Sequence, residues 1–572
     1  MNPMNPMKLT SPLLPFLALM TLVGCNADDK GDDTTGSTDD TTGSTDDTAT
    51  STDDTATSTE APSTLDLAVE AIGGVEALTS LEQLRIEASG NRRIDYEGLE
   101  PSELVDAVSY TSTYSYDLSA DALRLDMTRT PLFEAFQFFP AEEYSVVING
   151  DVGGLTAQAG FFPAGAMPSL HVGALSQQQR LLHPHIPLRT ALADPDAVTD
   201  GGQEDYDGRL HHILTITDAD AELRLFVDAE TGLISKLETT ENNPLLRDVP
   251  VEVRYADWQS YGSLSFPGTV EIYAVEGLVH SEVRSGVELE PADMAADAFV
   301  LPAEAGTPEV DEYAYDFGRQ NHQVMEAFWH IYFGYDLGEA ATVSELAEGV
   351  VLLAGSANSV GVVVDDQLVV LEGPNSPAHG THLIEMLGAE FPGAPVSHLI
   401  QSHHHQDHSS GVRSFAAVGA TVVVGPGVGS FFEEVLAAPS TIRPDALSQL
   451  DITPTVEEVG EDDTFVITGS DATITAYHVS DNPHAEDMLI TVVDTGGARF
   501  VYEADLYNAG FGFTAVLEGP ESFIAALKQL GIIDATCASD VPLTVIPAHG
   551  LVQSIEDSIA ELNSLGIDIG CS

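Results

Sequence analysis

Residues 402–411, with the sequence SHHHQDHSSG, constrain this chain more than any other stretch. Four of the six residues from 403 to 408 are histidines and a fifth is an aspartate. The order His-x-His-x-Asp-His fits one register only, because a start at His404 would place Gln406 where a histidine is needed. A histidine-rich surface loop is the alternative interpretation. The metal-ligand candidates in this register are His403, His405, Asp407 and His408.

The spacing of these residues has a physical basis. The apolar residues 396–400 predict a buried strand just before them. In extended chain past a strand, side chains two residues apart point the same way, so His403 and His405 can bind one ion. Asp407 and His408 then lie where the chain turns into a helix predicted at 412–418, and they can face a second ion. Nitrogen and oxygen ligands suit zinc, with iron or manganese as alternatives.

Three further candidates lie at the ends of predicted strands much later in the chain. His484 lies in a loop between two strands, and His478, at the end of the first, is its rival as a ligand. Asp505 follows a strand and suits a carboxylate bridge between two cations, with a helix cap or turn as the alternative. His549 follows a last strand, and Gly550 after it permits a sharp turn. These strands are predicted at 472–477, 488–493, 499–503 and 543–547.

Together the seven side chains resemble, in order and context, the ligand set of the metallo-β-lactamase superfamily. The resemblance covers about residues 349–565 and implies an αββα sandwich with the site at one sheet edge. It implies two divalent metal ions, zinc in the first instance, with iron or manganese as alternatives. The implied first ion is held by His403, His405 and His484, the second by Asp407, His408 and His549, and Asp505 bridges them.

The resemblance also implies a chemistry. Two cations and a water suit the hydrolysis of an ester, lactone, thioester or amide bond, with Asp407 orienting the nucleophile and moving its proton. Tyr507 is a candidate donor to the oxyanion, with core packing as the alternative. Class B β-lactamases lack a bridging aspartate where Asp505 stands, which disfavours antibiotic hydrolysis. Two other functions stay open: a mononuclear iron enzyme similar to persulfide dioxygenases, and a non-enzymatic, lipid-binding envelope lipoprotein.

The predicted fold class is α+β, with the hydrolase domain at 349–572 preceded by an antiparallel, β-rich domain at 65–302. Alternating polar and apolar residues predict the strands of this first domain. The order of its elements is similar to the half-barrel of LolA-type lipoprotein-sorting domains, which implies a concave apolar face. A connecting helical segment is predicted at 303–348, where residues 324, 328, 331 and 332 are apolar at helical spacing. Histidines outside the cluster are interpreted as structural or surface residues: His183, His185, His211, His212, His322 and His330.

The N-terminus is interpreted as a targeting segment, residues 1–24, followed by a linker, residues 25–64. The apolar run at 13–23 is too short to span a bilayer. Residues 22–25, LVGC, resemble the lipobox of bacterial lipoproteins, which implies lipidation of Cys25 and attachment to the cell envelope, with an ordinary secretory signal as the alternative. Asn26 is not the aspartate that often retains such lipoproteins at the inner membrane, so the outer membrane is favoured. The acidic repeat of period seven at 32–59 has nothing to bury and predicts a solvated linker.

The net charge limits which partners are possible, and the cysteine content bears on disulfide formation. The formal net charge is −71, which disfavours nucleic acid and anionic membrane surfaces, so a lipid anchor would be the contact with membrane. A small-molecule substrate that is neutral or cationic is expected. In an oxidising compartment Cys537 and Cys571 can form a disulfide, with two free buried thiols as the alternative. The substrate and the oligomeric state are left open by the sequence.

Overall fold

The structure is a computed structural model that describes residues 62–132, 142–159, 163–218, 221–275, 277–323, 341–510 and 518–571. The targeting segment with Cys25, nearly all of the acidic linker, and the helix predicted around residues 324–332 with His330 lie outside the described residues. The predicted mixed α+β, strand-rich fold is confirmed. Among the described helices, none has the length and apolar character needed to cross a bilayer.

Helices and strands are numbered in chain order. The helices are α1 Thr64–Ile72, α2 Val75–Ser80, α3 Ser169–Leu182, α4 His185–Ala193, α5 Glu312–Arg319, α6 Pro377–Glu390, α7 Gln406–Ser409, α8 Val412–Ala417, α9 Gly429–Ala437, α10 Gly519–Gln529 and α11 Ile555–Leu565. The strands of the N-terminal part are β1 Gln83–Ile94, β2 Val105–Asp117, β3 Ala122–Pro131, β4 Glu142–Asn149, β5 Val152–Leu155, β6 Gly165–Met167, β7 Val198–Tyr206, β8 Arg209–Asp218, β9 Ala221–Asp228, β10 Ile234–Asn243, β11 Arg247–Ala256, β12 Gln259–Tyr261, β13 Leu264–Phe266, β14 Thr269–Ala274 and β15 Gly277–Leu289. Those of the C-terminal part are β16 Thr342–Ala347, β17 Val350–Ala354, β18 Ser359–Val364, β19 Gln367–Leu371, β20 Val396–Ile400, β21 Thr421–Val424, β22 Thr455–Glu458, β23 Thr464–Thr468, β24 Thr473–His478, β25 Leu489–Asp494, β26 Arg499–Glu503, β27 Leu543–Pro547 and β28 Gln553–Ser554.

The N-terminal part is built on one antiparallel sheet that has thirteen strands within the described residues. Its order is β6-β5-β4-β3-β2-β1-β15-β14-β11-β10-β9-β8-β7, so the first and last long strands, β1 and β15, meet at its centre. Helix α3 lies across one face, where the hydroxyl of Tyr255 donates to the carbonyl of Leu181 at 2.6 Å. The LolA resemblance implies a concave apolar face that could hold a lipid or contact another part of the chain, and it stays a prediction.

Two further sheets make up the C-terminal part. The described strands of one follow the order β16-β17-β18-β19-β20-β21-β22, and those of the other β23-β24-β25-β26-β27-β28. Side chains of β19 point alternately to the two faces of the first sheet. On one face, Val369 and Leu371 join a core shared with Ile474 and Phe500 of the second sheet. A strand with apolar residues on both faces needs a partner layer on each side. The two sheets therefore pack face to face over this shared core.

Helices cover the outer face of each sheet. Leu368 and Val370, on the other face of β19, pack with residues of α6, α8 and α9. On the second sheet, Val501 and Val545 pack with residues of α10 and α11. Helix α11 begins at Ile555, and the hydroxyl of Ser554 before it accepts from the amide of Asp557 at 3.1 Å. The layers thus run helix, sheet, sheet, helix.

Parallel pairing brings strand ends to one edge of the layers. Strand β19 pairs in parallel with β20, and β26 pairs in parallel with β27. The residues that follow these strands leave the sheets at the same edge, where side chains can converge without disturbing the ladders. The segment 402–408 follows β20, Asp505 follows β26, and His549 follows β27.

The N-terminal sheet contacts the C-terminal layers near this edge. The amide of Thr441 donates to Asp248 on β11 at 2.7 Å, and the guanidinium of Arg247 donates to the carbonyl of Arg443 at 3.0 Å. Thr441 and Arg443 lie shortly after α9 in the chain. The segment that follows α9 is therefore packed on the N-terminal sheet.

Candidate metal centre

The structure brings all seven sequence-predicted ligands together. Their ligand atoms form two groups in which every atom lies within 4.8 Å of the others, and Asp505 belongs to both groups. One group combines His403, His405, His484 and Asp505, and the other combines Asp407, His408, His549 and Asp505. The chain supplies them from the loop after β20, the β24–β25 loop and the ends of β26 and β27.

The first group has the spacing of one coordination shell. The Nε2 atom of His484 lies 3.2 Å from Nε2 of His403 and 3.3 Å from Oδ2 of Asp505. His403 Nε2 and Asp505 Oδ2 are 3.8 Å apart. Four ligand atoms at the tetrahedral zinc distance of about 2.0–2.1 Å are separated from one another by roughly 3.3 Å. A single small cation therefore fits among these three side chains.

The second group has similar spacing around Asp407. Its Oδ2 atom lies 3.1 Å from Nε2 of His408 and 3.2 Å from Nε2 of His549. His408 Nε2 is also 2.7 Å from Oδ2 of Asp505. Asp505 adopts a left-handed backbone conformation, with φ of 58°, which is uncommon for a residue with a side chain. That turn carries its carboxylate back between the two groups.

Residues outside the seven hold the ligands in orientation. Glu372, directly after β19, accepts from Nδ1 of His408 at 2.7 Å and from the hydroxyl of Ser402 at 2.8 Å. The same hydroxyl lies 3.0 Å from Nδ1 of His403. Nε2 of His405 donates to the carbonyl of Gly98 at 2.8 Å, which leaves its Nδ1 for a cation. Such partners fix the ring and the tautomer of a metal-binding histidine.

The remaining histidines near the cluster have other roles. His404, which the pattern leaves out of the ligand set, is buried, and its Nδ1 lies 2.7 Å from Asp487. His478, the rival to His484, bonds to the backbone carbonyls of Glu461 and Glu486 instead of joining either group.

Tyr507 does not serve as the oxyanion donor considered from the sequence. Its hydroxyl donates to Glu561 on α11 at 2.7 Å and accepts from Gln553 at 2.7 Å. Its ring stacks on Phe523 of α10, so the side chain belongs to the helix-side core. The core-packing alternative describes it.

Burial and neighbouring charges set the protonation of the cluster. Burial lowers the pKa of His403 and His405 well below the ordinary value, and adjacent imidazoles lower it further, so both rings are neutral. Burial alone would raise the pKa of Asp505, but His408 and His549 hold it well below its usual range. Burial opposes a charge on His408 too, yet Asp407 and Asp505 raise its pKa well above 6.5. Neutral His403 and His405 beside the ionised Asp505 offer lone pairs to a divalent cation, whereas His408 must lose its proton to bind one.

One orphaned atom tests whether a cation fits. Oδ1 of Asp407 is buried and has no hydrogen-bond partner among the described residues. Burying an ionised carboxylate oxygen without a partner is costly. Nε2 of His403 and Nε2 of His484 also lie 3.2 Å apart, and Asp505 is the carboxylate next to both nitrogens. One cation in each ligand group would give all of these atoms a partner, so the residues present fit a dinuclear centre.

Several residues of the centre were not found from the sequence. Glu372 could have been found, because it follows a buried strand as Asp505 does. Asp487 lies just before β25 and gives no pattern of its own.

Glu97 comes from the N-terminal sheet, and its carboxylate forms a third group with His405 and Asp407. Burial and the nearby Asp407 raise the pKa of Glu97 well above its ordinary value. Nothing in its local sequence points to this position.

The N-terminal histidines lie apart from this cluster. His183 is buried with its Nδ1 3.0 Å from the guanidinium of Arg284, and the ring of His185 stacks on Phe266. His322 bonds to Glu241 at 2.6 Å. At the far end of the chain, Cys537 and Cys571 form a disulfide with their Cα atoms 5.5 Å apart. It ties the C-terminal tail to the segment after α10.

Solved structures that are similar to part of this chain are metallo-β-lactamases. One from Pontibacter korlensis is 16% identical, covering 40% of this chain and 99% of its own, with a TM-score of 0.30. The DIM-1 metallo-β-lactamase is 10% identical over 40% of this chain and 97% of its own, with a TM-score of 0.28. A B3 metallo-β-lactamase with an active-site glutamic acid is 17% identical over 39% of this chain and 88% of its own, with a TM-score of 0.28. No family model and no curated protein matches the chain.

Proposed function

We propose that this chain is a metal-dependent hydrolase with a metallo-β-lactamase-type αββα sandwich, which uses two divalent ions, zinc in the first instance, to cleave an ester, lactone, thioester or amide bond. The observation that carries this proposal is the shared carboxylate: Asp505 lies 2.7 Å from His408 and 3.3 Å from His484, which belong to different ligand groups. A carboxylate between two sets of imidazoles supports a dinuclear centre.

The roles of the side chains follow from their positions. Divalent ions in such a centre lower the pKa of water and polarise a carbonyl oxygen. Asp407 has one oxygen among the ligands and a second that lacks a partner among the described residues, so it can hold the attacking water and accept its proton. Glu372 holds His408 through Nδ1, and the carbonyl of Gly98 holds His405 through Nε2. Both contacts keep the ligand atoms aimed inward before substrate arrives.

The substrate class is part of the proposal. The net charge of −71 and the carboxylates around the site, among them Glu97 and Glu372, support a neutral or cationic substrate over an anionic one. A lactone or a neutral ester satisfies this condition. Turnover of phosphodiesters, with none of neutral esters, lactones, thioesters or amides, would contradict it.

Metal analysis combined with a substrate panel tests the proposal. The purified chain is expected to hold two zinc ions and to hydrolyse at least one neutral carbonyl compound. The double variant His403→Ala/His405→Ala is expected to lose both properties, while His478→Ala, a histidine of the same domain outside both groups, keeps them. One iron with oxygen uptake would instead favour the persulfide dioxygenase-like alternative. An intact cellular phenotype in the double variant would favour a non-enzymatic lipoprotein.

The location is proposed separately. We infer attachment to the outer membrane through lipidated Cys25, supported by the lipobox-like residues 22–25 and by the Cys537–Cys571 disulfide, which suits an oxidising compartment. Labelling of cells with radioactive palmitate is expected to mark the chain and to fail for Cys25→Ser. A labelled Cys25→Ser protein would contradict this inference.

A further inference from the structure

A loop of the N-terminal sheet reaches the ligand cluster. It connects β1 to β2 and spans residues 95–104. The carbonyl of Gly98 accepts from Nε2 of His405 at 2.8 Å, and the carbonyl of Leu99 accepts from the amide of Glu486 at 2.9 Å. The loop therefore contacts both segments that supply the first ligand group, the one after β20 and the one between β24 and β25.

The loop is held in this position by its own packing. Tyr96 is buried in a left-handed conformation, with φ of 56°, and its ring stacks on Phe431 of α9 at 5.4 Å between centroids. The side chain of Glu103 accepts from the amide of Leu99 at 2.9 Å. A Cβ atom added to Gly98 would lie 2.6 Å from Cβ of Glu103, so the turn is close-packed at this point. A left-handed residue other than glycine persists only where its surroundings impose it.

This packing aims one carboxylate at the ligands. Oε2 of Glu97 lies 3.7 Å from Nδ1 of His405, the ring nitrogen that Gly98 leaves for a cation. Glu97, His405 and Asp407 each offer a ligand atom, and these three atoms all lie within 4.8 Å of one another. The side chain of Glu97 is only 18% exposed. Two neighbouring carboxylates that are largely withdrawn from water repel unless a cation lies between them.

We propose that Glu97 is an additional ligand of the metal centre, contributed by the N-terminal sheet on the side of His405 and Asp407. The proposal rests on the proposed function, because it requires that the centre binds metal. The centre is then assembled from both halves of the chain.

Zinc titration of the metal-free, full-length chain tests the assignment. Glu97→Gln keeps the size of the side chain and removes its charge, and it is expected to weaken one zinc-binding step by at least about tenfold, the lower range for loss of a partner at a metal site. The matched control is Glu100→Gln, the same substitution at an exposed position of the same loop, which is expected to titrate like the wild type. Wild-type binding of both ions by Glu97→Gln would overturn the proposal.

A spectroscopic measurement separates a ligand from a merely nearby charge. With cobalt in place of zinc, visible absorption reports the number and type of ligands. Glu97→Asp keeps the charge but withdraws the carboxylate by one methylene, so a changed cobalt spectrum together with weaker zinc binding supports direct ligation. A Glu97→Asp protein with the wild-type spectrum and affinity would overturn it, even if Glu97→Gln failed to fold.

The two proposals fail in different ways. If the wild-type chain binds neither zinc nor cobalt, the proposed function fails and the ligand assignment fails with it. If the wild type binds both ions and the Glu97 variants bind them equally well, the ligand assignment alone fails.

Discussion

Buried polar clusters occur in both halves of the molecule, and they are neutralised in different ways. Under the N-terminal sheet, Arg284 lies 3.4 Å from Glu282, and neither side chain is exposed. At the metal centre, the side-chain partners of Asp407 and Asp505 among the described residues are all histidines. The first cluster carries its own cation, whereas the second offers lone pairs and negative charge to a cation from solution. Histidine is common to both, so its partners decide its role.

The largest expected effect comes from the residue shared by both ligand groups. Asp505→Ala removes the bridge, so both ions should be bound less tightly and the hydrolytic rate should fall by roughly 10³-fold, the rate equivalent of several kcal/mol of charge stabilisation. Metal content after dialysis and kcat/KM on a substrate found in the panel measure this. Asp481→Ala, exposed in the loop that carries His484, is the control and should behave as wild type. Retention of two tightly bound ions by Asp505→Ala would contradict the idea that this cluster, unlike the Arg284–Glu282 pair, is neutralised by bound cations.

The next largest effect concerns the buried Arg284–Glu282 pair of the N-terminal sheet. Arg284→Met leaves Glu282 buried without its cation, so the free energy of unfolding should fall by about 3–5 kcal/mol. Urea unfolding measures this, and metal content of the folded fraction should be unchanged. Arg254→Met removes a half-exposed partner of Glu252 and should cost less than about 1 kcal/mol. Loss of metal from Arg284→Met would show that the two clusters are coupled.

A pH dependence distinguishes histidines that are buried without a carboxylate from those of the centre. Burial lowers the pKa of His185 from 6.5 to about 3. The unfolded chain binds this proton below pH 6.5 and the folded chain does not, so stability is full above pH 6.5 and falls as the pH drops toward 3. Between pH 6.5 and 5 the loss should be about 2 kcal/mol. In His185→Gln, the loss of unfolding free energy between pH 6.5 and 5, measured by urea unfolding, should be smaller by this amount. An unchanged loss would contradict the assignment.

The smallest effect separates packing from chemistry within the C-terminal part. Tyr507→Phe removes hydrogen bonds to Glu561 and Gln553, so the free energy of unfolding should fall by about 1–2 kcal/mol. The value of kcat/KM should not change, because the hydroxyl faces α11. A drop in kcat without a drop in stability would return Tyr507 to the catalytic residues.

The convergence of the candidate metal ligands was predictable because of where they lie in the chain. His403, His405, Asp505 and His549 each come shortly after an apolar strand, and strand ends are recognisable from local sequence. Glu372 obeys the same rule, although the sequence pattern alone did not single it out. The predicted strands at 499–503 and 543–547 also match β26 and β27, because their hydrophobic runs have the length and branching typical of buried strands.

Helix α3 was not predicted, and its environment explains why. Nearly all of its residues are buried, including Gln177, Gln178 and Gln179. A helix surrounded by protein has no polar face, so it lacks the 3.6-residue periodicity on which prediction relies. Its glutamines are placed there by partners far along the chain, as in the bond from Gln177 to Glu241.

The sequence by itself pointed to the seven candidate ligands, to their positions at strand ends, and to the chemistry that nitrogen and oxygen donors permit. These properties depend on residue type and on short-range geometry. The tertiary structure alone decided that Glu97 and the carbonyl of Gly98 lie against His405, which is 307 residues away from Gly98 in the chain. Such contacts depend on how two separate hydrophobic cores dock, and no local pattern encodes that docking. The histidine-dense stretch therefore predicts a metal centre, while the packing of the N-terminal sheet decides what covers it.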